Sequence, residues 1–405
     1  MTRKRRWLLA CVAIALLLAL VAWWASRPRN VASLVVSQLG SALGLEITAK
    51  GVSEYTLAGG PRLVLRDVEA RAPGAPRAML RAARVDVWVP WSTVRSRGAE
   101  LNFRHVELDA PVLDVPMLQA WLASRPPSEQ KLPTLSDGLR VRDGRVLGDG
   151  WSVDALALDV PRVMPEQSVD AHVVGRYVAT DTRVPFDLAL TMTKPANGAG
   201  LGAHGTVTLE QAQRRMPATV RISGPLQMDA QGLRVVPLRA SMVARYTQKD
   251  VDLPFVLAIN GPLRYERGVL ALSPVGIALR GDGLVPTLDA RAAFAYTDKA
   301  MLHLAGTLQT WPDAWPALPP PIGQSKSPLP LVLDYAGPFD FSDTARLQLT
   351  RDATRVDARF KLPEVLAWID APAGSPIPPL SGRVTTPTLD IDGVLLEGVD
   401  VRITP

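Results

Sequence analysis

The chain has 405 residues, 47% of them hydrophobic and 21% charged, with a formal net charge of +6, a composition that excludes intrinsic disorder and supports a large packed region. Four of the cations form one run, Arg3-Lys4-Arg5-Arg6, and elsewhere Arg and Asp interleave without a basic block, which excludes an extended nucleic-acid surface. The single cysteine, Cys11, excludes disulfides and thiolate metal sites from everything that follows it.

From Trp7 to Ala25 the chain carries no charge. About 19 residues at 1.5 Å per residue match a hydrocarbon core of ~30 Å. Trp7 at one end and Trp23 and Trp24 at the other stand where interfacial tryptophans anchor a span. The basic run predicts that residues 1–6 stay in the cytoplasm, that 7–25 form a transmembrane anchor, and that the remainder is exported. A cleaved leader is the competing reading, but a cut after Ala25 would set bulky Trp23 just before it, and the uncleaved anchor is preferred. Asn30 is a suitable N-cap, Val31, Leu34, Val35, Leu39 and Leu43 recur at helical spacing, and Gly44 suits a C-cap. The segment 26–44 is thus predicted to be a juxtamembrane amphipathic helix.

From Leu45 the apolar period changes from 3.6 to 2. Alternating runs include Leu63/Leu65, Val85/Val87, Leu101/Phe103, Phe186/Leu188/Leu190, Leu253/Phe255/Leu257, Ala292/Phe294 and Leu389/Ile391. Strict alternation gives strands with one apolar and one wet face. The predicted fold is mainly β: an elongated, twisted antiparallel sheet forming an apolar groove, with the N-terminal transmembrane helix and a few short helices. Its segments are a β-groove region at 45–311, a Pro-rich loop at 312–330 and a C-terminal β module at 331–405. Asp143-Gly144, Asp149-Gly150, Asp282-Gly283 and Asp392-Gly393 are predicted hairpin turns, and Gly198 to Gly202 a flexible hairpin tip. Val115 to Leu122 and Leu362 to Ile369 form a weak repeat, with proline second and tryptophan seventh, that predicts two short helices capping sheet ends.

Signatures of chemistry are missing. His105, His172, His204 and His303 are isolated in sequence, with no second ligand at metal-binding spacing. No nucleophile elbow, Walker loop or dinucleotide fingerprint occurs. Asp390 and Asp392 share a strand face and are read as entering a solvated turn rather than as an acid/base pair. The chain is therefore read as no enzyme, with neither cofactor nor metal.

Two stretches carry a family resemblance. The first comprises Leu63 to Val68, Val85 to Trp91 and Leu101 to Pro111; the second runs from Pro379 to Val401. Together with the anchor they resemble the AsmA-like family of membrane-anchored envelope proteins, relatives of the bridge-like lipid-transfer proteins, over roughly a third of the chain. The resemblance implies an inner-membrane anchor, a periplasmic bulk and a long twisted sheet whose concave apolar face carries or shields lipid in envelope or outer-membrane assembly. It supplies no catalytic residue. The groove candidates are then Leu63, Leu65, Val85, Val87, Leu101, Phe103, Phe186, Leu188, Leu190, Leu253, Phe255, Leu257, Phe294, Leu389 and Ile391. The expected partners are phospholipid or another acyl lipid, the inner membrane, and envelope or secretion proteins, with no nucleic acid. The alternative is a scaffold, similar to protein N of type II secretion, that docks proteins on sheet edges. Alternation alone leaves two arrangements open, a bare apolar strip or a sandwich with a second sheet above it; the resemblance implies the bare strip.

Overall fold

The structure is a computed structural model that describes residues 36–37, 40–41, 44–56, 60–95, 102–124, 134–212, 214–229, 232–248, 251–315, 318, 320, 322–338, 341–370, 379–391 and 394–404. The predicted anchor with Trp7, Trp23 and Trp24, most of the helix expected over 26–44, Leu101, and the Asp392-Gly393 turn lie outside the described residues. Among the described residues no helix is long and apolar enough to cross a membrane. The chain is mainly β with twisted, mixed pairing and divides into two compact units, Met1–Pro195 and Ala196–Pro405.

In the first unit β1 (Glu46–Thr56), β2 (Arg62–Arg71) and β3 (Leu80–Trp88) pair antiparallel in chain order. Helix α1 (Trp91–Arg95) and β4 (Asn102–Phe103) lead to β5 (His105–Asp109) and β6 (Val112–Asp114), both antiparallel to β3. Helix α2 (Val115–Ala123) and β7 (Thr134–Leu135) follow, then β8 (Leu139–Leu147), β9 (Trp151–Val160), β10 (Val169–Ala179) and β11 (Thr182–Met192). β8 runs parallel to β5 and β6, and β4 runs parallel to β7. A purely antiparallel sheet is thereby corrected to a mixed one. Between β6 and β8 the chain crosses over through α2, and a crossover of this length brings a strand back in the same direction.

Helix α2 has Pro116 in its first turn, as predicted, and Asp114 caps it by accepting from the Met117 amide at 3.0 Å. Trp121 donates its Nε1–H to the Gly44 carbonyl at 3.4 Å. Gly44 has φ +62, the left-handed geometry expected of a C-cap. Asp143-Gly144 is not a hairpin turn. It sits within β8 as a bulge, with Asp143 at φ +51, beside the β5–β6 break where Ala110 has φ +48 and donates to the Arg142 carbonyl at 2.8 Å. Asp149-Gly150 does link β8 to β9.

The second unit is an antiparallel meander of β12 (Ala199–Gln211), β13 (Arg214–Asp229), β14 (Gly232–Gln248), β15 (Val251–Glu266), β16 (Val269–Gly281), β17 (Leu288–Tyr296), β18 (Ala300–Leu308), β19 (Leu329–Gly337), β20 (Thr344–Arg351), β21 (Thr354–Lys361), β22 (Leu380–Ile391) and β23 (Val394–Ile403), with helix α3 (Leu362–Asp370) after β21. The expected flexible tip at Gly198 to Gly202 is corrected: Gly200 and Gly202 lie inside β12, opposite Pro225 and Ser223.

A line of prolines crosses this meander. Gly224-Pro225 in β13 and Gly261-Pro262 in β15 are each followed twelve residues later by a second proline, Pro237 in β14 and Pro274 in β16. At Val236-Pro237 β14 carries one more residue than β13 and β15, and at Ser273-Pro274 β16 carries one more than β15 and β17. Both are β-bulges, and proline, lacking an N–H, is tolerated in a sheet at such positions. A Cβ on Gly224 would stand 2.5 Å from the Pro237 carbonyl oxygen, and one on Gly261 would stand 2.6 Å from that of Pro274. Glycine is what lets each pair of strands approach at its bulge.

Candidate functional site

Cross-strand register assigns every side chain in the second unit to one of two faces. One face is apolar without interruption from β12 to β21. A row across it reads Ala203, Ile222, Ala240, Ile259, Ile277, Ala290, Gly306, Leu331, Leu349, Val356 and Val384, each opposite the next. A neighbouring row runs Val220, Met242, Leu257, Leu279, Leu288, Leu308 and Leu329. Beyond the proline line lies a third: Leu226, Val235, Leu263, Leu272, Phe294, Leu302 and Tyr335. The bulges keep this third row on the same side. Val235 and Leu238, and likewise Leu272 and Val275, differ by an odd number of residues, and strict alternation would have turned one of each pair to the other face.

Most leucines and isoleucines of this face between β12 and β17 are neither buried nor exposed but half-buried. Substantial strand contacts in the unit are between ladder neighbours, with no second sheet among them. A sheet stacked about 10 Å above would have sealed these side chains. Among the described residues of this unit, two segments cover its margins. At one, Trp311 and Trp315 meet edge to face at 4.7 Å, Trp315 donates to the Leu284 carbonyl at 2.9 Å, and Leu318 and Ile322 pack with them on Leu308, Leu329 and Leu349. At the other, Phe341 packs with Tyr335, Ala345 and Phe360.

The opposite face is polar and laced with cross-strand ion pairs, Arg245–Asp252 at 2.8 Å, Arg280–Asp289 at 2.6 Å, Arg346–Asp357 and Arg383–Asp400, and with a His303–Asp334 hydrogen bond at 2.6 Å. The Arg346 guanidinium holds the Asp357 carboxyl below its ordinary range, and Arg383 does the same to Asp400. Two shallow depressions of about 610 and 730 Å³ lie here. Each is floored by alanines, Ala258 and Ala278 in one and Ala293 and Ala295 in the other, that sit low among taller arginines. They are open dips without a buried polar group aimed into them.

The sequence candidates separate by burial. Leu63, Leu65, Val85 and Val87 form a closed core in the first unit, each at most 8% exposed, with Ile47, Phe103 and Leu108 packed against it. They are inaccessible to a guest as placed. Phe186, Leu188 and Leu190 stand half-buried on an apolar face of the first unit, opposite Gly175, Val173 and Ala171. Leu253, Phe255, Leu257 and Phe294 share the apolar face of the second unit. Leu389 of β22, opposite Leu396, is 8% exposed and is closed to a guest as placed. Ile391 ends β22 opposite Val394.

Three histidines that are isolated in sequence gain a carboxylate neighbour, His172 with Asp187 at 2.7 Å, His303 with Asp334, and His105 with Glu107 at 3.5 Å. Among the described residues no cluster of three or more His, Cys, Asp or Glu could hold a metal ion. On the polar side of the first unit, Asp86 is 1% exposed and receives two hydrogen bonds from Arg62, at 3.1 and 2.7 Å, and one from Arg84 at 3.3 Å. The hydrogen bond to Asp86 raises the Arg62 guanidinium above its ordinary value. Sequence reasoning overlooked the third apolar row and the proline line. Their signal was present as a one-residue slip in alternation at Pro237 and Pro274.

A scan against protein-family models, a search of the curated proteins and a search of the solved structures returned no match.

Proposed function

We propose that this chain is a membrane-anchored carrier whose apolar sheet face shields the acyl tails of lipid during movement within the cell envelope. The observation that supports this reading is the uninterrupted, half-exposed apolar face of the second unit, with no second sheet packed on it among the described residues of that unit. Nine strand spacings from β12 to β21 make a strip about 43 Å long. Along each strand apolar side chains recur every ~7 Å. Taking about eight CH₂ groups of an acyl chain out of water onto such a strip contributes about 6 kcal/mol, at ~0.8 kcal/mol each. The headgroup stays in solvent, so no buried charge partner is needed. The uncharged stretch from Trp7 to Ala25 would hold the carrier at the donor bilayer. Binding and release suffice for this role, and no bond is made or broken.

The test is to purify the full chain in mild detergent and identify retained lipid by mass spectrometry. Phe255→Arg sets a guanidinium on this face, and Leu188→Arg sets one on the apolar face of the first unit; each should cut the retained lipid at least about tenfold, the desolvation of the cation opposing the tail contact. Unchanged loading in both variants overturns the reading.

One observation favours a scaffold as the second reading. β23 offers a ladder edge with no partner among the described residues, and Val394, Leu395, Leu396 and Val401 on it are 60%, 62%, 43% and 44% exposed. An edge of this kind is a template for a partner strand. Photocrosslinking from Leu395 in cells separates the two: a scaffold traps a defined protein there, a carrier does not.

A further inference from the structure

We propose that the proline line across β13 to β16 is a hinge along which the apolar face folds. The inference draws its functional consequence from the carrier reading, but the hinge itself stands on the ladder. Pro225, Pro237, Pro262 and Pro274 lie on four consecutive strands and none can donate an N–H. The registers break at the same level, between Ser223 and Leu226, Val235 and Leu238, Asn260 and Leu263, and Leu272 and Val275. A lone bulge bends one strand, but breaks stacked on adjacent strands weaken the sheet along a continuous line. Elsewhere β13 to β16 pair with regular ladders, so bending concentrates there.

The line also divides the apolar face. Ile222, Ala240, Ile259 and Ile277 stand on one flank; Leu226, Val235, Leu263 and Leu272 stand on the other. Folding about the line brings the two apolar flanks together or spreads them, changing the width available to a tail without breaking a regular ladder. The prolines recur with a period of 37 residues, Pro225 to Pro262 and Pro237 to Pro274. The hinge is thus built from two copies of one hairpin design.

The experiment uses the full chain with Cys11→Ser and spin labels at Val256→Cys and Arg264→Cys. Both positions are exposed, both lie on the polar face, and they stand on β15 on either side of Gly261-Pro262. Their separation along the strand, about 27 Å, suits pulsed electron spin resonance. The labelled protein is expected to give a broad distance distribution that narrows about twofold in P237A/P274A. Coincident distributions overturn the hinge. Should that variant fail to fold, hydrogen exchange on the unsubstituted chain decides: amides at Leu226, Leu263 and Val275 should exchange at least about tenfold faster than those at Ile222, Ile259 and Ile277, and equal rates overturn the proposal. Adding palmitoyl-oleoyl phosphatidylglycerol separates the two readings. A distribution that responds to the prolines but not to this lipid supports the hinge and counts against the carrier.

Discussion

Two leucines of the second unit provide a direct test of whether its apolar face is bare. Leu329 is 0% exposed beneath the Trp311–Ile322 segment, whereas Leu257 is half-buried on the face of β15. Leu→Ala removes the same atoms at each position, but the consequences differ. At Leu329 the surroundings form a closed cavity, and transfer and cavity terms combine to about 3.5 kcal/mol. At Leu257 the vacated space opens to solvent, so no cavity term arises, and losing roughly 50 Å² of apolar contact at ~25 cal/mol/Å² costs about 1.3 kcal/mol. The gap of about 2 kcal/mol corresponds to close to ~1 M in urea midpoint at a slope of about 2 kcal/mol/M. The chain has two compact units, so a global signal would merge their transitions. Hydrogen exchange on peptides from β15 and β19 during urea titration isolates the second unit. Equal losses for the two variants would mean that Leu257 is sealed, and the carrier reading would lose its physical basis.

Further outcomes are expected elsewhere. Asp86→Ala removes the acceptor of the hydrogen bonds from Arg62 and Arg84 and should destabilise the first unit by about 1.5 kcal/mol, read from hydrogen exchange in β2 and β3; a loss near zero would show that Asp86 is dispensable. Trp315→Phe removes the donor to the Leu284 carbonyl and should cost about 1 kcal/mol, with faster exchange in β18 and β19 as the readout. Asp357 and Asp400 are held below their unfolded values by Arg346 and Arg383, so their stabilisation is complete above the unfolded carboxylate pKa of about 3.9 and is lost as pH falls below it. Exchange in β20 to β23, corrected for its intrinsic pH dependence, should therefore rise on acidification below about pH 4, and Arg346→Gln should blunt the rise in β20 and β21. Carbon-13 titration of Asp357 at an ordinary carboxylate value would contradict this.

Much of the fold was legible because its signals are local. A period of two marks a strand wherever it occurs, and Pro116 and Gly44 act within a turn of their own positions. The parallel return of β8 was not legible, since strand direction depends on where a crossover lands. Asp143-Gly144 has the composition of a hairpin turn, yet pairing on both sides of β8 holds it inside a strand as a bulge. The histidine–aspartate pairs were hidden for the same reason: His303 meets Asp334 only through the register of β18 with β19.

By itself the amino-acid order determined that strands dominate, that each carries one apolar side, and that alternation slips at Pro237 and Pro274. Tertiary structure decided which of those apolar sides are closed. The Leu63–Val87 runs and the Leu253–Phe255 run alternate alike in sequence, yet the first are buried in a core with Ile47, Phe103 and Leu108 while the second stand half-exposed. It also decided that the proline breaks stack into one line. Periodicity reports only which way a side chain points relative to its own backbone; what lies opposite it depends on contacts made by distant parts of the chain.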